Sequence, residues 1–253
     1  MKRILTLLAA FVALTACEIE QAEYFDPTAE GFRMFSCANY HLWGQATTAT
    51  HVLFFDRYYS APEKERETIH DRYFYSSRIV GSDNEWRIID NRCELTIYTD
   101  GRSLSTDGAT WRYACSCRNY AGDDLPTITC RTNDAHTSYN LRLPNGGGEL
   151  SFTATYYSQP QNDGTTRYGC ELQIEGHGEC APCQDYYDYG FEKIAYEIVE
   201  PLKYTSNSSE RFDAGQLRLT TETAEGPLET HAEYLDDSIR IRFGIHESLY
   251  CYY

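Results

Sequence analysis

Positive charge is scarce in this chain: 253 residues carry 22 Lys+Arg against 38 Asp+Glu, a formal net charge of −16. A body this acidic repels the phosphates of nucleic acid and the surface of anionic lipid, so neither is expected as a partner. Long apolar runs are also missing. The longest, Ile4 to Ala13, is too short to span a bilayer. Several catalytic signatures are absent from the sequence: the Gly-Xaa-Ser-Xaa-Gly elbow, His-Glu-Xaa-Xaa-His and a phosphate-binding glycine loop. The seven histidines are scattered without metal-ligand spacing. Carboxylates adjoin at Asp123-Asp124 and Asp236-Asp237, but glycosidase acids must face one another across a cleft, so adjacent pairs say little. No catalytic residue, metal or cofactor is therefore expected.

What is present begins with an address. Lys2 and Arg3 form a basic start, Ile4 to Ala13 an apolar middle, and Leu14-Thr15-Ala16-Cys17 follows. This is the order of an export signal. Its last four residues resemble the lipobox of bacterial lipoproteins. That resemblance covers residues 1–17 and implies removal of 1–16, lipidation of Cys17 through its sulfur, and acylation of the new amino group. Several acyl chains hold a protein to a membrane firmly, whereas one alone is marginal. Glu18 stands where inner-membrane lipoproteins commonly have Asp, so the resemblance implies the outer membrane. Residues 18–30 contain five acids and no base, and residues 17–31 read as a solvated acidic tether. An acidic tract at that place resembles a signal for display on the cell exterior. Loss of Lys2 and Arg3 leaves 20 bases against 38 acids.

Ten cysteines less Cys17 leave nine: 37, 93, 115, 117, 130, 170, 180, 183 and 251. In an exported protein most should be bridged, and an odd number leaves at least one over. Two motifs recur in the same order. Ser36-Cys37-Ala38-Asn39-Tyr40 returns as Ser116-Cys117-Arg118-Asn119-Tyr120, and Cys93-Glu94-Leu95-Thr96-Ile97 returns as Cys170-Glu171-Leu172-Gln173-Ile174. The separations from opening to inner cysteine are 56 and 53 residues. Cys183-Gln184-Asp185-Tyr186 offers a third opening, followed by Ser238 to Phe243 and Cys251. The expectation is three β units, 32–116, 117–182 and 183–253, either separate or packed as a single domain.

The inner motif alternates as a strand does, with Cys93, Leu95 and Ile97 on one face. Residues 151–157 and 216–220 alternate likewise. Asp100-Gly101, Asp107-Gly108, Asn145-Gly146 and Asp163-Gly164 mark turns between such runs. The fold class expected is mainly β: antiparallel hairpins in repeated disulfide-stabilised units, sandwich-like or barrel-like, with one or two short helices. Helical patterning is confined to Asp185–Glu200, stopped by Pro201, and Pro62–His70. A hairpin centred near residue 104 would set Cys93 opposite Cys115, and a tighter one near Glu175 would set Cys170 opposite Cys180. The rival scheme joins Cys37 to Cys93 and Cys117 to Cys170. Cys183 and Cys251 remain as further candidates.

Glu179-Cys180-Ala181-Pro182-Cys183 has the spacing of a thiol–disulfide oxidoreductase site. Yet the chain before it reads as hairpins rather than a βαβ order, and Cys115-Ser116-Cys117 offers a parallel in the first unit. Both pairs then mark seams, with Cys180 and Cys183 bonded elsewhere. His177 with these two cysteines supplies three metal ligands but lacks a fourth. Aromatic residues are plentiful, with 22 Tyr, 11 Phe and 3 Trp. Tyr186, Tyr187 and Tyr189, set among acids, suit a sugar-binding face, where rings supply flat apolar surface and carboxylates accept hydroxyl hydrogens. Tyr is also at home on sheet surfaces, and Trp86 and Trp111 read as core. The function expected is non-enzymatic binding or adhesion, for glycans in one form. The alternatives are an envelope scaffold that binds another protein and a thiol–disulfide oxidoreductase acting through Cys180 and Cys183.

Overall fold

The computed structural model describes residues 27–117, 124–134, 136–181, 192–206, 211–223 and 226–251. Cys17 and the lipobox, Cys183, and Tyr186, Tyr187 and Tyr189 lie outside them.

Two helices open the described chain: α1 (Pro27–Ser60) and α2 (Glu63–Tyr73). The remainder is a single antiparallel sheet of 13 strands in strict sequence order. In chain order these are β1 (Arg78–Ser82), β2 (Glu85–Ile89), β3 (Glu94–Tyr98), β4 (Thr110–Cys115), β5 (Thr127–Thr132), β6 (Thr137–Arg142) and β7 (Gly148–Pro160). Then come β8 (Thr166–Cys180), β9 (Ile194–Thr205), β10 (Ala214–Thr223), β11 (Gly226–Tyr234), β12 (Ser238–Phe243) and β13 (His246–Cys251). The mainly β expectation holds. The unit boundaries at 116/117 and 182/183 fall between strands of this one sheet.

Alternation explains the sheet. Leu95 and Ile97 on β3, Trp111 and Tyr113 on β4, and Leu172 and Ile174 on β8 are buried, while their neighbours along each strand are more open. A sheet with one apolar face needs something to cover it. That cover is α1. At 1.5 Å per residue its 34 residues span about 51 Å; 13 strands about 4.8 Å apart span about 58 Å. The helix runs across the strands, and its contacts descend through the sheet. Phe32 meets Tyr250 on β13, Phe35 meets Tyr234 on β11, and Phe55 meets Trp111 on β4 and Trp86 on β2.

The sheet also wraps the helix. The Tyr113 hydroxyl on β4 donates to Gln45 Oε1 at 3.3 Å, while Thr47 Oγ1 lies 3.2 Å from the Tyr204 hydroxyl on β9. Positions 45 and 47 are about 200° apart around the helix, so strands stand on opposite sides of one turn. Accordingly α1 buries residues all round, including Met34, Ala38, Leu42, Ala49, Val52 and Phe55. A helix enclosed in this way has no polar stripe to set against an apolar one.

Several expectations are corrected. Residues 32–60 were expected to belong to a β unit and form the core helix instead; Cys37 lies on α1 and Cys117 at the end of a hairpin, so the recurring opening motif has no common structure. The Pro62–His70 helix is present as α2, with Pro62 at its N-cap. Of the expected Asp185–Glu200 helix, residues 185–191 lie outside the described residues, and Ile194 to Glu200 belongs to strand β9 instead. Ile194, Ile198 and Val199 are β-branched and favour that state. Pro201 sits within β9 where its pairings with both β8 and β10 shift register, so its missing N–H costs no ladder bond.

The expected hairpin at Glu175 is likewise replaced by an uninterrupted strand, β8, running from Thr166 to Cys180. Cys170 and Cys180 therefore lie about 33 Å apart along one strand and cannot bridge. The glycines of this strand serve close approach. A Cβ on Gly178 would stand 2.3 Å from the Gly147 carbonyl oxygen and 2.4 Å from the Tyr196 hydroxyl. The turn signals hold: Gly101, Gly108, Gly146 and Gly164 all have φ between 70° and 82°.

Candidate functional site: an aromatic cleft beside the helical pair

Residues 47–54 of α1, the C-terminal part of α2 from Thr68 to Tyr73, the start of β8 and the end of β9 enclose a cleft of about 730 Å³. Its position follows from the sequence. Pro62 separates two helices that could not continue as one. The long β7–β8 hairpin, paired from Gly148↔Gly178 to Pro160↔Thr166, brings Thr166, Arg167 and Tyr168 at the start of β8 to the side of α2.

Aromatic rings and cations line this cleft. Tyr73 stacks on Phe54 at 4.2 Å between centroids and meets Tyr168 edge-on at 6.2 Å. The Arg72 guanidinium lies 4.6 Å over the Tyr168 ring, and Arg167 is the second lining cation; outside the lining, Arg57 lies 4.3 Å over Tyr156 and 5.9 Å over Tyr73. Tyr75, 82 % exposed, stands at the mouth with Asp71, Thr166 and Arg167. Deeper in, His51 Nδ1 donates to the Thr47 carbonyl at 2.8 Å; since a carbonyl only accepts, the neutral ring carries its proton there and keeps Nε2 as an acceptor. The hydroxyl of Thr50, only 2 % exposed, has no hydrogen-bond partner among the described residues.

Burial sets the acidities around the cleft. It raises the Tyr73 hydroxyl above its usual range, with the nearby Arg57 and Arg72 charges opposing the rise. It raises Tyr204 too, opposed by the hydrogen bond with Thr47. Below the cleft, burial pushes the Cys170 thiol to about 12. These are neutral hydroxyls and an inert thiol at physiological pH. His51 bonds a backbone carbonyl, not a hydroxyl or thiol, so the geometry of an activated nucleophile is not assembled on it. What the cleft offers is ring faces, two cations, a carboxylate and hydroxyls.

The candidate cysteines separate into groups. Cys93 is bonded to Cys117, with Cys115 Sγ 3.1 Å from Cys93 Sγ. The preferred Cys93–Cys115 pairing is corrected by a two-residue shift of register that keeps the same face: β3 and β4 pair Leu95 with Cys115, so the residue facing Cys93 is Cys117. The rival Cys37–Cys93 and Cys117–Cys170 scheme is excluded by the same bond. Cys130 and Cys170 are buried thiols, Cys251 is an exposed one on β13, and Cys37 and Cys180 are buried. Trp111 is fully buried in the core, as expected, and donates from Nε1 to the Arg102 carbonyl at 3.0 Å, while Trp86 is half-buried and packs on Phe55 at the edge of the core.

The cleft itself was not foreseen. Tyr73 and Tyr168 lie 95 residues apart, and tyrosine abundance was the only sign of it in the sequence. Among the described residues, no helix is long and apolar enough to cross a membrane. The chain matches no protein-family model, and neither a curated protein nor a solved structure is significantly similar to it.

Proposed function

We propose that this protein is a lipid-anchored binding protein of the bacterial outer membrane, facing outward, that holds a carbohydrate in the cleft without chemically altering it. The observation that carries the reading is the cleft lining, where Arg72 lies over Tyr168 and exposed Tyr75 stands nearby, together with the buried hydroxyl of Thr50, which has no partner among the described residues. Ring faces receive the C–H surface of a sugar, while Arg, His, Asp and Thr groups exchange hydrogen bonds with its hydroxyls. The lipobox supports the address, and the acidic tether and acidic surface suit a cell exterior.

The test is a glycan array probed with soluble residues 18–253. Binding to at least one glycan class, competed by the free sugar, is the expected result; a blank array removes the carbohydrate reading.

A second reading, an envelope scaffold that binds another protein, rests on a different place. Among the described residues β13 pairs only with β12, leaving an open edge, and Ile245 and Leu249 beside it are 97 % and 57 % exposed. Crosslinking in cells would yield one stoichiometric protein partner in that case.

A further inference from the structure

We infer that Cys93, Cys115 and Cys117 form a thiol–disulfide exchange centre, in which one bridge moves between Cys117 and Cys115 as partners of Cys93 and so presents a reactive Cys117 thiol to an external disulfide. This is independent of the carbohydrate cleft.

The three sulfurs lie within 4.8 Å of one another. The register explains why. Cys115 ends β4 and Cys117 lies two residues on, in the turn that follows, while Cys93 immediately precedes β3; the Leu95↔Cys115 register, carried past the strand ends, sets Cys93 beside both. Pairing continues beyond the strand ends: the Ser116 N–H donates to the Glu94 carbonyl at 2.8 Å, and the Glu94 N–H to Ser116 Oγ at 2.7 Å. Cys93 is also held from its other side. Asp90 Oδ1 accepts from the Cys93 N–H at 2.7 Å, and the Asp90 N–H donates to the Cys93 carbonyl at 3.1 Å. Cys93 is thus a fixed sulfur with two partners in reach, one bonded and the other at 3.1 Å.

Exposure is graded across the trio. Cys115 is buried, Cys93 half-buried and Cys117 exposed. Exchange proceeds by thiolate attack on a disulfide sulfur. Cys115 loses its proton and its thiolate attacks Cys93 Sγ. The Cys93–Cys115 bond forms as the Cys93–Cys117 bond breaks, and Cys117 leaves with the electron pair as a thiolate and takes up a proton. One disulfide and one thiol stand on each side of this step, so no oxidant or reductant is needed. The thiol has moved from a buried position to an exposed one. There it can attack an incoming disulfide, forming a mixed disulfide and releasing the other half as a thiolate.

The full chain, purified without reductant, tests this directly. It is incubated at pH 8 with iodoacetamide, quenched in acid and cut with trypsin. Cleavage after Arg92, Arg102, Arg112 and Arg118 yields residues 93–102 and 113–118 as the bridged pair, and fragmentation at Ser116 separates Cys115 from Cys117. The expected result is two isomers, with alkylated Cys117 accumulating in the one bridged through Cys115. In Cys115→Ser the labelling of Cys117 falls at least tenfold, and in Cys117→Ser a Cys93–Cys115 bridge persists. A Cys93–Cys117 bridge alone at every incubation time overturns the inference, as does recovery of all three as metal-bound thiolates. If Cys115→Ser fails to fold, the wild-type isomer ratio and the Cys117→Ser bridge decide.

Discussion

The Asp56 carboxylate, near the end of α1, accepts a 2.6 Å hydrogen bond from the backbone N–H of Leu104 in the β3–β4 loop. Ser103 Oγ donates to the same oxygen at 2.8 Å, and the Ser105 N–H and hydroxyl donate to the other. Asp56 is only 2 % exposed, so these donors replace its water. One side chain thereby fixes the end of the core helix to a loop 48 residues away. Asp56→Ala leaves buried N–H groups without an acceptor and should cost about 3 kcal/mol, measured by urea denaturation. An unchanged midpoint would mean the loop closes without this anchor.

Gly178 predicts a second, steric sensitivity. Gly178 pairs with Gly148 across β7–β8, and a methyl group there would meet both the Gly147 carbonyl and the Tyr196 hydroxyl below van der Waals distance. Gly178→Ala should destabilise the protein by about 2–3 kcal/mol, as overpacking does. Thermal unfolding would check this.

Burial of titratable groups predicts an alkaline limit. Cys170 is raised from 9.0 to about 12 and Tyr139 from 10.0 to about 12, in both cases by desolvation. The unfolded chain ionises these groups first, so their neutral forms stabilise the fold below pH 9. That contribution is lost as pH rises through roughly 9 to 12. Near-UV circular dichroism should therefore collapse within this window. At pH 8, iodoacetamide should label exposed Cys251 at least about a hundredfold faster than Cys170.

The sheet was legible because its signal is local. In β3, β7 and β10 every second residue faces inward, and the four Asp/Asn-Gly turns need a positive φ that only a few residue types accept. The core helix was not legible, because α1 is enclosed by strands and so carries Phe, Ala, Leu and Thr around its whole circumference. Its one-sided pattern is erased by the tertiary structure it organises. Strand β9 misled for the converse reason: Ile194, Ile198 and Val199 also fit a helical face, while the β8 and β10 ladders decide the state of residues 194–200. The cysteine trio was almost legible; a two-residue shift of register, which leaves the same face inward, separates the expected facing pair from the observed one.

The lipobox reading makes a prediction that no fold argument replaces. Cys17→Ser should abolish incorporation of radiolabelled palmitate and release the protein from the membrane fraction. Retained label would place the acyl chain elsewhere, or show that the signal is of another kind.

The cleft makes the sharpest functional prediction, because its two halves come from distant parts of the chain. Arg72 belongs to α2 and Tyr168 to β8, and they meet by the guanidinium lying 4.6 Å over the ring. Arg72 is not buried within the core, and Tyr168 is only half-buried. Exposed contacts of this kind contribute about 0.5–1 kcal/mol to stability, so Arg72→Ala and Tyr168→Ala should each leave the melting temperature within a few degrees of wild type. Their effect on a bound sugar should be larger, since removal of an aromatic platform or a charged donor costs the interaction directly: at least a tenfold loss of affinity for each, read by calorimetry with whichever glycan the array identifies. Tyr250, which packs on Phe32 at the far end of α1, is the control. Tyr250→Phe should bind as wild type. If Arg72→Ala and Tyr168→Ala bind equally well, the sugar sits elsewhere on the molecule.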